Sequence, residues 1–303
     1  MRELLQPHQA IRYRAGDFLA LWRCDEASGS LVDATGNYTA SVVSGSIGAA
    51  ASLFDSPIGT TGARTFSNSR ATAAGNMDAQ TALIGEWTIC AWIRPSVVGT
   101  SDRYVVSYSG GNTLASLLIR ADGTLAVVWE TGGSTVTVLS SATLQAARTY
   151  HVAAVKEIDP ANGSLRRVRF YVDGAAAGVV SGLVNVTGAA TSPQWNIGTD
   201  ENGTNAFAGT VDDLAVLRYA ATEEMARDVY ARGASSVATA SVYAADSYAV
   251  HTRVTVYTAA GVGVDLSSVY GWDLLRSIQI DEDRKSTRLN SSHVSESRMP
   301  SSA

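Results

Sequence analysis

Apolar and polar positions alternate with a period of two along much of this chain, which predicts strands rather than helices. Phe18-Leu-Ala-Leu-Trp-Arg-Cys24 sets Leu19 and Leu21 on one face and Trp22 and Cys24 on the other. In Thr88-Ile-Cys-Ala-Trp-Ile93 both faces are apolar, as expected for a central strand of a two-sheet sandwich. Tyr150-His-Val-Ala-Ala-Val155 and Arg166-Arg-Val-Arg-Phe-Tyr-Val172 predict a strand pair. Between such runs lie Asp122-Gly123, Asn162-Gly163 and Asp173-Gly174. These dipeptides suit hairpin positions of positive φ. Many short strands joined by Gly-rich turns predict a sandwich or jelly roll.

The alternation is interrupted at Val211-Asp-Asp-Leu-Ala-Val-Leu217, where Asp212 and Asp213 stand inside a strand. Burying an unpaired carboxylate is costly, so the pair needs a reason. One short helix follows: Thr222 caps it, Glu223 and Glu224 suit its positive end, and Gly233 stops it. Residues 1–16 read as a polar lead-in arm, 17–233 as the main domain and 234–250 as an Ala/Ser-rich linker. Residues 251–282 read as the start of a truncated β-rich segment, with strands at His251–Tyr257 and Ser277–Ile280. Asp283-Arg-Lys-Ser-Thr-Arg-Leu-Asn-Ser-Ser-His293 and Ser297-Arg-Met-Pro-Ser-Ser-Ala303 are similar, in order, to one reading frame of a sequencing adapter. Residues 283–303 are therefore set aside as an artefact, and the natural chain is expected to continue past Glu282.

Composition narrows the function classes. With 303 residues, 46% apolar and 17% charged, the chain can bury a core. A net charge of −5 argues against nucleic acid as a main partner. The N-terminus lacks the apolar run of a signal peptide, and no stretch has the length of a membrane span. The reading is a protein outside the membrane, in a virion or the extracellular space, that does not leave by the general secretory route. Cys24 and Cys90 sit in apolar strand-like runs and read as two buried thiols, with a disulfide as the alternative.

Catalytic chemistry finds little support. Glu157-Ile-Asp-Pro-Ala-Asn162 resembles the carboxylate run of laminarinase-type glycosidases, but Asn162 stands where the proton donor belongs. Pro160 also places the run in a hairpin. His151 reads as a packed histidine, and no nucleophile elbow, phosphate loop or zinc-spaced cluster is present. Tyr104, Tyr108 and Trp129 are candidates for a sugar-stacking groove, whereas Trp22, Trp92 and Trp129 fit a core.

Several motifs in order resemble laminin-G-like (concanavalin A-like) jelly-roll domains over residues 17–233. They are Leu21-Trp-Arg-Cys-Asp-Glu-Ala-Ser-Gly29 with Asp33-Ala-Thr-Gly-Asn37, and Trp87-Thr-Ile-Cys-Ala-Trp-Ile-Arg-Pro95. Tyr150-His-Val-Ala-Ala, Phe170-Tyr-Val-Asp-Gly174 and Phe207-Ala-Gly-Thr-Val-Asp-Asp-Leu complete the set. The resemblance implies an all-β fold, a two-sheet antiparallel jelly-roll sandwich with one short helix. It further implies a calcium ion at the sandwich edge, held by Asp25 and Asp212 first, with Asp33, Asn37 and Asp213 as lesser candidates. Without a metal, Asp25 and Asp33 would cap turns and Asp212 would bond loop amides. The function implied is non-catalytic binding of carbohydrate or of a protein partner. Arg253-Val-Thr-Val-Tyr257 to Glu282 loosely resembles phage tail-associated proteins, which favours a virion protein contacting neighbouring subunits. A secreted surface adhesin and the binding module of a carbohydrate-active enzyme are the alternatives.

Overall fold

A computed structural model describes residues 17–54, 62–232, 255–257 and 263–265. The chain divides into two compact units, Ile11–Asp246 and Met1–Ala10 with Ser247–Ala303. The expected lead-in arm, the helix stop at Gly233, the linker, most of 251–282 and the adapter-like tail lie outside the described residues.

In the larger unit the strands are β1 (Phe18–Trp22), β2 (Ser41–Ala50), β3 (Ala63–Ala74), β4 (Trp87–Pro95), β5 (Arg103–Ser109), β6 (Thr113–Ile119) and β7 (Thr124–Thr131). They continue as β8 (Ser134–Thr143), β9 (Tyr150–Asp159), β10 (Asn162–Val172), β11 (Ala175–Leu183), β12 (Gln194–Ile197) and β13 (Ala208–Leu217). Helix α1 (Met77–Ile84) follows β3, and α2 (Glu223–Arg232) follows β13. In the smaller unit β14 (Thr255–Tyr257) pairs antiparallel with β15 (Gly263–Asp265).

One layer of the larger unit runs β8-β7-β6-β5-β12-β3 and the other β11-β10-β9-β4-β13, with β1 beside β13 and β2 beside β3. The layers are joined where β3 changes neighbour. It pairs β13 over Arg64–Ser67 and β12 over Ala71–Ala74. Asn68, at φ 48°, makes the kink between them. Strand β13 pairs β3 up to Val211 and β1 from Leu214 onward. A bulge at Asp212–Asp213 separates the two stretches, with Asp213 in the left-handed region at φ 49°. The two acids that interrupt the sequence pattern thus sit where one strand passes between partners.

Alternate residues of both layers meet in a single core. Ile89, Ala91, Ile93, Val152 and Ala154 come from one layer, and Leu117, Ile119, Leu125, Val127 and Trp129 from the other. Trp195 anchors one end, with Trp22, Tyr38 and Tyr108 edge-on to it at 5.4, 6.0 and 4.7 Å. Tyr108 and Trp129 are wholly buried, so neither is a sugar platform. Trp92, expected in the core, lies on the opposite face of β4 from Ile89 and Ile93. Both cysteines are buried free thiols. Burial raises both thiol pKa values, so they are inert.

The expected helix α2 forms. Thr222 Oγ1 accepts the Met225 amide at 3.2 Å, and Ala226 and Val229 lie on Phe18, Leu21, Cys90, Ala153, Val155 and Tyr171. Helix α1 was not anticipated, although Asn76 carries its signal: the side-chain oxygen accepts the Ala79 amide at 2.8 Å. The turn expected at Asn162-Gly163 instead falls at Pro160-Ala161, where Asp159 accepts the Ala161 amide at 2.9 Å. Proline presets the first turn position, which moves Asn162 into β10 opposite Asp159. Asp173 and Gly174 do form a turn, with φ of 50° and 73°.

Candidate functional site

The five candidate ligands fall into two groups. Asp33 and Asn37 belong to a turn along the outer edge of β1. Asp33 Oδ1 accepts the amides of Leu21 at 2.8 Å and Thr35 at 3.0 Å. Its Oδ2 accepts the Thr35 hydroxyl at 2.5 Å and the amides of Asn37 and Tyr38 at 3.0 and 2.8 Å. Five donors fill the lone pairs of this buried carboxylate, so Asp33 does not fit a cation. Asn37 turns its amide group to Thr35 Oγ1. The pair anchors a loop.

Asp212 and Asp213 stand apart from that turn, beside the chain leaving β1. The Asp213 amide bonds Arg23 O at 3.4 Å. Asp212, Glu26 and Asp213 all lie close enough to raise the pKa of the Cys24 thiol. Asp25 lies between Cys24 and Glu26 in the chain and is half-buried. Asp212 Oδ2 accepts Ser52 Oγ and the Leu53 amide at 2.8 and 2.9 Å, whereas its Oδ1 is buried without a partner. Glu26 Oε2 is likewise buried without a hydrogen bond, 3.7 Å from the guanidinium of Arg64. Arg64, wholly buried, spends its other donors on the carbonyls of Glu26, Gly29 and Ile47. Among the described residues no three His, Cys, Asp or Glu side chains converge as a metal shell. An orphaned carboxylate oxygen does fit a cation, and Asp212 presents one, whereas Glu26 Oε2 already faces the Arg64 guanidinium.

Burial pushes the Asp212 carboxyl up to about 7, with Asp213 adding to the rise. The native state thus holds a proton that the unfolded chain releases near pH 4, so stability falls as pH rises between these values. From pH 5 to 6.5 the protein is expected to lose about 2 kcal/mol relative to Asp212→Asn, at 1.36 kcal/mol per unit. Urea denaturation at the two pH values measures it, and parallel losses in protein and variant would refute it.

Asp212 is also the end of a row across the outer face of one layer. It pairs with Trp92 of β4, and Trp92 pairs with His151 of β9. Trp92 stacks with Phe54 at 5.0 Å and Tyr230 at 5.4 Å, so protein rings occupy it. His151 is buried, and desolvation lowers its pKa to about 3, which keeps it neutral. The carboxylates of the glycosidase-like run are engaged as well. Glu157 bonds Arg167 and Arg169, and Asp159 accepts the amides of Ala161 and Gly182.

The outer face of the opposite layer carries a polar cluster on β3, β12 and β5, buried except for Arg70 and Gln194, which are half-buried. Because Ala71, Trp195 and Tyr108 point into the core, Arg70, Asn196 and Ser107 point out. Arg70 donates to Asn196 Oδ1 at 2.7 Å, Gln194 to the same oxygen at 3.1 Å, and Asn196 to Ser109 Oγ at 3.1 Å. The Arg70 Nε–H has no partner. Tyr104 flanks this face beside Leu118, Ala126 and Val128. Sequence reading missed Glu26, Arg64, Arg70 and Asn196 because their partners lie far along the chain, and no local motif marks them.

Residues 66–226 match the laminin-G-like family described as the concanavalin A-like lectin/glucanases superfamily, and the chain belongs to it. No curated protein matches the sequence. Among solved structures, the chain is similar to the binding domain of botulinum neurotoxin DC in complex with rat synaptotagmin II, at 11% identity and TM-score 0.52. The binding domain of botulinum neurotoxin serotype D matches at 14% identity and TM-score 0.51. In each case 72% of this chain covers 52% of the other. Trypanosoma rangeli sialidase in complex with 2,3-difluorosialic acid matches at 12% identity and TM-score 0.50, with 72% of this chain covering 33% of that one. The chain therefore spans about half or less of these proteins, and at such identities the likeness is one of fold.

Proposed function

We propose that the domain is a non-catalytic docking module for carbohydrate or a protein surface, carried by a bacteriophage virion as a tail or receptor-binding component. The observation that carries the reading is the cluster on the outer face of β3 and β12, where the half-buried Arg70 and Gln194 are both fixed on Oδ1 of the buried Asn196 and can turn their remaining guanidinium and amide groups outward. Such groups recognise hydroxyl and carboxylate oxygens. In fold the chain is similar to about half of a toxin binding domain solved in complex with synaptotagmin II and to about a third of a sialidase solved in complex with 2,3-difluorosialic acid, which supports a protein or carbohydrate partner. On this chain the carboxylates and the histidine that hydrolysis would use are engaged or neutral. Calorimetric titration of the chain with 3′-sialyllactose, lactose and methyl α-mannoside tests the sugar arm. Binding of at least one, weakened about tenfold by Arg70→Ala, is expected; silence of all three would leave the protein arm, to be read by pull-down of purified virion proteins.

Calcium enters as a narrower proposal, confined to the Asp212 end. Asp212 Oδ1, with backbone carbonyls and water, would hold the ion, whose charge would compensate the buried carboxylate. Millimolar calcium is then expected to raise the melting temperature and lower the apparent pKa of Asp212. Asp212→Asn abolishes both effects, and an unchanged melting curve with calcium would refute the site.

A further inference from the structure

Asparagine is most labile before glycine, which has no Cβ to keep its backbone nitrogen away from the side-chain carbonyl carbon of the preceding residue. The chain holds two such pairs, Asn162-Gly163 and Asn202-Gly203. All four residues are exposed, so exposure does not distinguish the pairs. What separates them is how firmly the backbone is held around the attacking nitrogen.

At the first pair the hairpin is slack. Asn162 pairs with Asp159 beside the Pro160-Ala161 turn, and the register of β9 and β10 resumes only at Arg166. The pairing of β10 with β11 also begins at Arg166, so Gly163, Ser164 and Leu165 have no register partner on either side. The Ser164 amide donates to Asn162 Oδ1 at 3.0 Å, which folds that side chain back along Gly163. A Cβ on Gly163 would meet nothing within 4 Å, so the backbone there has room to turn. The second pair is braced. The Gly203 amide donates to Asp200 O at 3.2 Å. On either side of it, the Asn202 and Thr204 amides donate to Asp200 Oδ1 at 3.1 and 2.7 Å. Three consecutive amides are therefore tied to one aspartate.

We propose that Asn162 is a site of spontaneous self-modification, at which the Gly163 nitrogen displaces the side-chain amide, while the same reaction at Asn202 is held back by Asp200. The Gly163 nitrogen loses its proton and attacks Asn162 Cγ. The Cγ–Nδ2 bond breaks and ammonia leaves with that proton, closing a cyclic imide. Water then opens the imide at one carbonyl or the other and leaves aspartate or isoaspartate at position 162. Either product adds a carboxylate beside Asp159, whose own oxygens are spent on the amides of Ala161 and Gly182. Like charges facing across strands are destabilising, so the change loosens the β9–β10 hairpin. The inference goes beyond the docking function and does not rest on it.

The test incubates the full chain at mildly alkaline pH, folded and in urea. Conversion at each asparagine is followed by peptide mass spectrometry, and isoaspartate is labelled with isoaspartyl methyltransferase. In the folded protein Asn162 is expected to convert at least about tenfold faster than Asn202, since ring closure at Gly203 first costs its loop several hydrogen bonds. In urea the two rates should converge. Asp200→Ala should raise the Asn202 rate in the folded protein and leave Asn162 unchanged. Gly163→Ala, which the open space and a backbone outside the left-handed region accept, should suppress conversion at Asn162 alone. Equal rates in the folded protein, or a faster Asn202, overturn the proposal. So does an Asn162 that keeps its amide in the folded chain while losing it in urea, or a folded Asp200→Ala protein in which Asn202 reacts no faster.

Discussion

Asp33→Ala is expected to lower the free energy of unfolding by about 4 kcal/mol, the largest loss from a single polar side chain in the domain. Hydrogen bonds to a charged acceptor contribute roughly 1.5–3 kcal/mol each, and a buried donor left unpaired carries its own cost. Asp33 accepts five, and two of them come from the buried amides of Leu21 and Tyr38. Losses within one cluster are not additive, so about 4 kcal/mol is set below the sum. Every group facing the carboxylate is a donor. Asp33→Asn is therefore expected to be nearly as damaging, because its amide nitrogen would confront further N–H groups. Denaturant unfolding of both variants measures the effect, and a near-normal Asp33→Asn would show that charge and acceptor capacity do not matter there. The loss should also free the β1 edge, seen as faster amide exchange at Leu21.

The second large effect belongs to Lys156, whose side chain is wholly buried on β9. Its ammonium group donates to Leu83 O and Ile84 O, each at 3.2 Å, at the end of α1. It lies 5.4 Å from the centre of the Trp129 ring and 6.0 Å from that of Trp87. Carbonyls at a helix C-terminus and aromatic faces are partial negative charges, and they hold the cation without a carboxylate. They do not replace bulk water. Desolvation first, and then repulsion from Arg166, bring the pKa down to about 7. The sign follows. Above pH 7 the native state sheds a proton that the unfolded chain keeps until about pH 10.5, so stability rises with pH in that window. Between pH 7.5 and 9.5 the protein is expected to gain about 3 kcal/mol relative to Lys156→Met, which has no charge to lose. Chemical denaturation at the two pH values checks it, and equal pH responses would refute it. Asp212 slopes the opposite way below pH 7, so these two groups together oppose stability most near neutrality.

The strands were legible because a two-residue alternation of apolar side chains has few other uses in a folded chain. Trp22, Ile89 and Val152 are in the core where the alternation put them. Its failures are informative. Trp92 keeps the parity of its strand, but which side faces the other layer depends on where β13 and β9 lie, and no spacing within β4 records that. The turn at Pro160 was missed because Asn162-Gly163 fits a hairpin equally well, and a proline one step earlier wins by fixing φ. Asn76 advertised α1 openly as an N-cap ahead of Ala79, Leu83 and Gly85, and could have been read.

The candidate ligands show the same boundary. Asp212 and Asp213 in β13 were visible as oddities that required a reason, and Asp33 as a turn cap or a ligand. Asp33 replaces a missing strand at the β1 edge, while Asp212 and Asp213 occupy the bulge where β13 changes neighbours.

By itself the sequence determined a β-sandwich of alternating strands, two acids out of place and a short terminal helix, since these follow from side-chain periodicity and local capping. Only the tertiary structure decided that Asp33 is saturated while Asp212 keeps an oxygen free, and that a lysine lies between two tryptophans. The free oxygen of Asp212 and the place of Lys156 depend on segments tens of residues apart, where hydrogen bonding and desolvation are set by packing rather than by sequence neighbours. Even the Asp33 turn, whose donors lie two to twelve residues away, fills its last site only by folding back along β1.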